Sequence, residues 1–210
     1  MGIKKIKCSI VAGAPNADVD YLKNAVDKNS FIIAADSGYV YCKKAGIVPD
    51  IIIGDFDSSK KPDTDIEIIN LPVMKDDTDT FSTVKYAISK GFKQIEIFNA
   101  IGNRFDHTYS NTLCLKYCID NNVEAHIIDR HNKISLVKTK TVISPGSFKY
   151  FSVFAYGGNV KGLTIKNALY ELTNRDIDPY VQYTQSNEFC DSPVEISIKN
   201  GILMLVQSND

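Results

Sequence analysis

The sequence predicts an α/β N-terminal half with an open, mostly parallel sheet, followed by an all-β C-terminal sandwich. Two observations carry that expectation. Through Ile128, short Ile- and Val-rich runs without polar alternation take turns with amphipathic segments, as buried parallel strands and their crossover helices do. After residue 130 the chain changes to short runs separated by Pro145-Gly146, Gly157-Gly158 and Asn200-Gly201, and no long helix is needed. The expected domains are therefore residues 1–130 and 131–210, with the boundary near Arg130–Asn132.

In the first half, strands are expected at Cys8–Ala12, Phe31–Ala35, Ile51–Ile53, Ile66–Asn70, Gln94–Phe98 and Ala125–Ile128. Helices are expected at Val19–Asp27 and at Tyr39–Ala45, the second closed by Gly46. Thr78–Lys90 reads as a helix with Thr78 as N-cap, Phe81, Val84 and Ile88 on one face and Gly91 as stop. Asp106–Asp120 reads as another, with Asp106 as cap and Tyr109, Leu113 and Tyr117 spaced by four. In the second half, strands are expected at Ile134–Val137, Thr141–Ile143, Phe148–Ala155, Val160–Ile165, Val194–Ile198 and Ile202–Gln207. Asn200-Gly201 between the last two is a hairpin signal.

Composition excludes several classes of function. Twenty-four Lys and Arg against 25 Asp and Glu give a net charge of -1, which argues against a nucleic-acid or anionic-membrane partner. The longest apolar runs fall far short of the ~18 residues a membrane helix requires. Lys4, Lys5 and Lys7 precede an apolar stretch, Ser9–Ala14, that is too short for a secretory signal. The five cysteines are odd in number and form no C-x-x-C pair, so reduced thiols in the cytoplasm are expected. There is no P-loop, no G-x-G-x-x-G after the first strand and no G-x-S-x-G elbow.

Chemistry-bearing residues gather where the expected strands end, which is where open α/β sheets bind ligands. Asp36-Ser37-Gly38 follows one strand, Gly54-Asp55-Phe56-Asp57-Ser58 another, and Gly102-Asn103-Arg104-Phe105-Asp106-His107 a third. Lys75-Asp76-Asp77-Thr78-Asp79 opens a helix beside them. Asp55 and Asp57 flank one residue and are expected to face one point, with Asp79 adding oxygens. Such hard donors suit Mg²⁺, and the alternative is a set of solvated turn acids. Gly102, Asn103 and Arg104 before a helix start suit a phosphate, and the alternative is a loop with a capped helix. His107 is expected to hydrogen-bond rather than to ligate.

In this order, Ala35-Asp36-Ser37-Gly38, Pro49-Asp50 with Gly54–Ser58, Asp76-Asp77-Thr78-Asp79 and Gly102–His107 with Asn111 resemble the thiamine pyrophosphokinase (thiamine diphosphokinase) family. Gly157-Gly158, Val160-Lys161-Gly162-Leu163-Thr164 and Ser186-Asn187-Glu188 are similar to that family's thiamine-binding half. The resemblance implies transfer of a diphosphoryl group from ATP to the hydroxyethyl group of thiamine, releasing AMP. It also implies a homodimer with its active sites between subunits. It gives Asp55, Asp57 and Asp79 the metal, and Arg104 and Asp106 a place by the phosphates. Asp36, Ser37, Gly54, Ser58, Gly102, Asn103 and His107 are carried over to ATP. Thr78, Asn111, Tyr170, Ser186 and Asn187 are carried over to thiamine. Ser37 and Asn103 stand where the family has glycine. Asp79 and Asp106 are both candidates to take the alcohol proton. Tyr170 reads either as an aromatic face for the thiazolium cation or as a buried sandwich aromatic.

Two other readings remain at this stage. Asp55 could be the nucleophile of a haloacid-dehalogenase-type phosphohydrolase, or the chain could be a non-catalytic dimer that binds thiamine or a nucleotide.

Overall fold

The computed structural model describes residues 6–15, 17–57, 61–144 and 146–210. The chain divides into two compact units, Met1–Arg130 and His131–Asp210.

The first unit contains β1 (Lys7–Val11), α1 (Val19–Ala25), β2 (Phe31–Ala35), α2 (Gly38–Ala45), β3 (Ile51–Gly54), β4 (Glu67–Asn70), α3 (Asp79–Ser89), β5 (Gln94–Phe98), α4 (Phe105–Asp120) and β6 (Glu124–Ile128). Its strands lie in the order β6-β5-β1-β2-β3-β4, and each neighbouring pair is parallel. Val11, Ile32, Ala34, Ile52 and Phe98 pack with Leu22 of α1 and Cys42 and Ala45 of α2. Alternation sends Ile10, Ile33, Ile53 and Ile97 to the other face, where α3 brings its buried Val84 and Ala87. Both faces are thus covered, which is why these strands read as continuous apolar runs. β4 is the exception. It pairs on one side only, and its Glu67 and Asn70 are exposed, so this strand is an edge.

Thr78 caps α3, its Oγ1 accepting the Phe81 N–H at 3.1 Å, and Gly91 follows the helix at φ +86°. α4 departs from expectation at both its start and its face. Arg104, not Asp106, is the N-cap, because the Asp106 carboxylate is turned back onto the Arg104 guanidinium. The buried stripe of α4 is Asn111, Cys114, Leu115 and Cys118, whereas Tyr109 and Leu113 are exposed. Small residues, rather than the large aromatic ones, allow this helix close to its sheet.

The second unit contains β7 (Asn132–Val137), β8 (Lys140–Ile143), β9 (Tyr150–Ala155), β10 (Val160–Lys166), β11 (Leu172–Ile177), β12 (Asn187–Glu188), β13 (Val194–Ser197) and β14 (Leu203–Ser208). These form two antiparallel layers, β12-β9-β14-β7 and β11-β10-β13-β8. Phe151, Val153, Leu203 and Leu205 of one layer share a core with Val160, Leu163, Val194 and Ile196 of the other. This is a sandwich. The Asn200-Gly201 hairpin does not occur as expected. β13 and β14 belong to different layers, and the turn carries the chain across, held by hydrogen bonds between Lys161 and its neighbours Lys199 and Asn200.

Cys8, Cys42, Cys114 and Cys118 are free and buried, and Cys190 is free and exposed. No helix among the described residues is long and apolar enough to cross a membrane.

Candidate active site

In the first unit, the strand order reverses at β1, from which the chain continues through β2, β3 and β4 on one side and β5 and β6 on the other. A cleft of about 550 Å³ opens there, within the usual size range of small-molecule sites. It forms because three strand ends are tied together. Asn99, just after β5, sits at φ +52° and donates its side-chain amide to the carbonyls of Ala12 (2.8 Å) and Ala14 (3.0 Å) beyond β1. The start of α2 presses against β1 so closely that a Cβ on Gly38 would lie 2.0 Å from the Val11 carbonyl oxygen. Asn111 of α4 donates to the Ala100 carbonyl at 2.8 Å, and Thr108 Oγ1 accepts the Gly102 N–H at 3.1 Å.

Asp36, Ser37, Asp57, Thr78 and Asp79 line this cleft, as do Gly102, Arg104, Asp106, His107 and Asn111. Gly54, Asp55 and Asn103 are not on its wall, and Ser58 lies outside the described residues. Gly54 acts as a spacer, since a Cβ there would sit 2.9 Å from the Asp36 Cα. Ser37 and Asn103 keep negative φ, so neither position requires glycine in this chain.

Asp55 and Asp57 make different contacts. Phe56 at φ +55° and the Asp57 N–H donating to Asp55 Oδ1 at 3.1 Å form a tight turn. That turn leaves Asp57 exposed on the cleft wall and sends Asp55 to Lys75. The Asp55 side chain is 5% exposed, and Lys75 Nζ donates to its Oδ2. Lys75 Nζ is also 3.3 Å from Asp79 Oδ1, an ion pair without hydrogen-bond geometry. The hydrogen bond from Lys75 holds the Asp55 carboxyl below its ordinary range against the opposing effect of burial. Asp79 goes the other way, raised first by burial and then by the charges of Asp55 and Asp36, with Lys75 opposing. Burial would lower the Lys75 ammonium, but its hydrogen bond to Asp55 and the nearby carboxylates raise it instead.

Among the described residues, no group of three or more His, Cys, Asp or Glu side chains is gathered as a metal site. Of the expected set of Asp55, Asp57 and Asp79, two share one cation, since Lys75 Nζ contacts Asp55 and lies 3.3 Å from Asp79, while Asp57 lines the cleft. The donor chemistry nonetheless fits a hard divalent cation. Asp36 Oδ1 and Asp79 Oδ1 are buried oxygens without a hydrogen-bond partner, and Asp79 feels the repulsion of both Asp55 and Asp36.

Arg104 grips Asp106 through Nε (3.2 Å to Oδ1) and a second, shorter guanidinium contact. Both side chains are about two-thirds exposed, at 68% and 64%. As N-cap, Arg104 makes no side-chain bond to the helix, so the first turn of α4 lacks the side-chain acceptor that Thr78 gives α3.

Of the residues carried over to thiamine, Thr78 and Asn111 belong to this cleft and Tyr170, Ser186 and Asn187 to the second unit. Asn187 is buried, accepts the Tyr170 N–H at 3.0 Å and donates to the Tyr170 carbonyl at 2.7 Å. Its amide therefore holds Tyr170, a residue 63% exposed rather than buried in the sandwich. Ser186, at φ +55°, donates its N–H to Ser152 Oγ at 2.9 Å.

Sequence reasoning missed Gly13, Ala14 and Pro15, Thr80, Thr108 and Ser110, which also line the cleft, and assigned no role to Lys75. The stretch Gly13-Ala14-Pro15 carries no ionisable group, so only its position after a buried strand signalled it.

Residues 22–127 match the thiamin pyrophosphokinase catalytic domain, and residues 131–203 match the thiamin pyrophosphokinase vitamin B1 binding domain. The thiamine pyrophosphokinase of Bacillus subtilis (strain 168) is 28% identical over 216 residues, covering 96% of this chain and 98% of the relative. A crystal structure of thiamine pyrophosphokinase from Bacillus subtilis superposes with a TM-score of 0.90 at 28% identity, covering 97% of this chain and 99% of that one. The thiamin pyrophosphokinase of Geobacillus thermodenitrificans gives 0.85 at 26% identity, covering 97% and 98%. These matches do not favour the phosphohydrolase reading, and Asp55, its would-be nucleophile, is paired with Lys75. With both domain matches spanning nearly all of its two units, the chain belongs to the thiamin pyrophosphokinase family and is an enzyme of the thiamine diphosphokinase type.

Proposed function

We propose that the enzyme transfers the diphosphoryl group of ATP to the hydroxyethyl oxygen of thiamine, giving thiamine diphosphate and AMP. The observation that carries this reading is the cleft itself. It combines Asp36, Asp57 and Asp79 with Arg104 and the N-terminus of α4 at the switch point of a parallel sheet. The triphosphate would lie at that helix end, with Arg104 released from exposed Asp106 to fork onto phosphate oxygens. Asp57 and Asp79, with Asp55 once freed from Lys75, would hold Mg²⁺. When bound, the ion offsets phosphate charge and orients the chain for in-line attack.

The remaining work falls to the protein. The cleft would hold the thiamine hydroxyl in line with the β-phosphorus, where positioning supplies much of the rate. Of the two candidate proton acceptors, Asp79 is favoured, because its Oδ1 has no hydrogen bond whereas both Asp106 oxygens are taken by Arg104. Tyr170, held by Asn187, would offer its exposed face to the thiazolium cation, with Ser186 beside it. A homodimer with active sites between subunits, working in the cytoplasm, completes the reading.

The test is incubation with ATP, MgCl₂ and thiamine, read by mass. AMP and thiamine diphosphate in equal amounts support the proposal. ADP with thiamine monophosphate, or phosphate released without thiamine, would refute it.

A further inference from the structure

We propose that Lys75 is a built-in counter-cation of the acidic cleft, holding Asp55 and Asp79 in the metal-free enzyme and yielding them when nucleotide and divalent ion arrive together. The inference rests on the reading that the aspartates hold a metal with ATP.

Lys75 lies four residues before Asp79 and reaches Asp55 from 20 residues away, so one ammonium joins the end of β3 to the start of α3. Its side chain is 14% exposed, against 5% for Asp55 and 25% for Asp79. A contact this sheltered is screened much less than a surface pair. The balance is still incomplete, because Asp36 Oδ1 and Asp79 Oδ1 are buried without a hydrogen bond. A single positive charge thus satisfies Asp55 fully, Asp79 in part and Asp36 not at all.

A divalent ion drawn to the same oxygens must meet the ammonium at a few ångströms, where like charges repel strongly. With metal alone, Lys75 would lose Asp55 and gain nothing. With nucleotide present, the ammonium can swing on its flexible four-carbon stem to a phosphate oxygen. The two ligands therefore assist each other through Lys75, and that assistance is reciprocal. The consequence is an acidic cleft that does not retain divalent ions until a phosphate chain is there to use them.

The experiment measures Mn²⁺ binding, from the electron paramagnetic resonance of the free ion, with and without a nonhydrolysable ATP analogue. The wild-type enzyme is expected to bind Mn²⁺ weakly alone and about tenfold more tightly with the analogue. Lys75→Met is expected to bind Mn²⁺ alone about tenfold more tightly than wild type and to lose most of the nucleotide effect. Lys75→Arg, which keeps the charge, should remain weak. Without nucleotide, Mn²⁺ should raise the melting temperature of Lys75→Met more than that of the wild type. Lys75→Gln provides the same readings if the methionine variant does not fold. Neutral variants binding Mn²⁺ alone no more tightly than wild type would overturn the role of Lys75, provided the wild type with analogue binds it. Absence of Mn²⁺ binding in every form, analogue included, would instead overturn the metal reading and this inference with it.

Discussion

Asp55–Lys75 and Arg104–Asp106 are both carboxylate–cation pairs belonging to one site, and they differ in burial. The first has side chains 5% and 14% exposed, the second 64% to 68%. A sheltered pair punishes the loss of one partner, because the other is left as an uncompensated charge. An exposed pair exchanges its contact for water at little cost. Separating Asp55 from Lys75 therefore needs a compensating partner, whereas Arg104 can leave Asp106 for water at little cost.

Five substitutions test that contrast. The largest effect is expected from Asp57→Asn. It removes an exposed carboxylate from the cleft wall and should lower kcat about 10³-fold while leaving the urea midpoint unchanged. Next comes Asp55→Asn, which leaves Lys75 with Asp79 alone and should cost about 2 kcal/mol in urea unfolding at neutral pH. The pH dependence has a definite sign. The Asp55 carboxyl is held down, so its contribution is complete above the ordinary carboxylate range and lost as pH falls through the lowered value. Asp55→Asn should flatten the acid limb of the stability curve. Asp79 is shifted upward, so its charge costs stability at neutral pH and that cost fades as pH falls through the raised value. Asp79→Asn should therefore raise the urea midpoint at pH 7 while activity falls. A lower midpoint would contradict the electrostatic account.

Smaller effects are expected from the two remaining changes. Asn187→Ala frees the Tyr170 backbone and should raise the KM for thiamine about tenfold with little change in that for ATP, measured by steady-state kinetics. Asp106→Asn should alter stability by less than about 0.5 kcal/mol. A loss as large as that of Asp55→Asn would erase the distinction between the two pairs.

Much of the fold was legible because burial on both faces leaves an unmistakable record. The runs at Phe31–Ala35, Ile51–Ile53 and Gln94–Phe98 are strands at or within a residue of their expected limits, and Thr78 caps its helix as read. What was missed has physical causes. β11, Leu172–Ile177, is largely exposed at the edge of its layer and carries no apolar run. On α4, large aromatic residues dominated the periodicity, yet Asn111, Cys114 and Cys118 are the ones that fit against the sheet. Asn200-Gly201 has hairpin chemistry, but the core drawn from both layers sends β13 and β14 apart.

The strand-end grouping of Asp36, Asp57, Asp79, Arg104 and Asp106, which line one cleft, was legible because charged residues at strand ends stand out. Nothing in the sequence signalled that Asp55 and Asp57 would make different contacts, since that depends on Phe56 adopting φ +55°. Lys75 was read only as part of the cluster before α3, because its partnership with Asp55 spans 20 residues and exists only in the folded chain.

The most direct test of the central claim is a crystal structure with Mn²⁺ and a nonhydrolysable ATP analogue. The account predicts an anomalous peak at the carboxylates of Asp57 and Asp79, with the triphosphate at Arg104 and the N-terminus of α4. A metal peak elsewhere, with those carboxylates turned to solvent away from the phosphates, would contradict it.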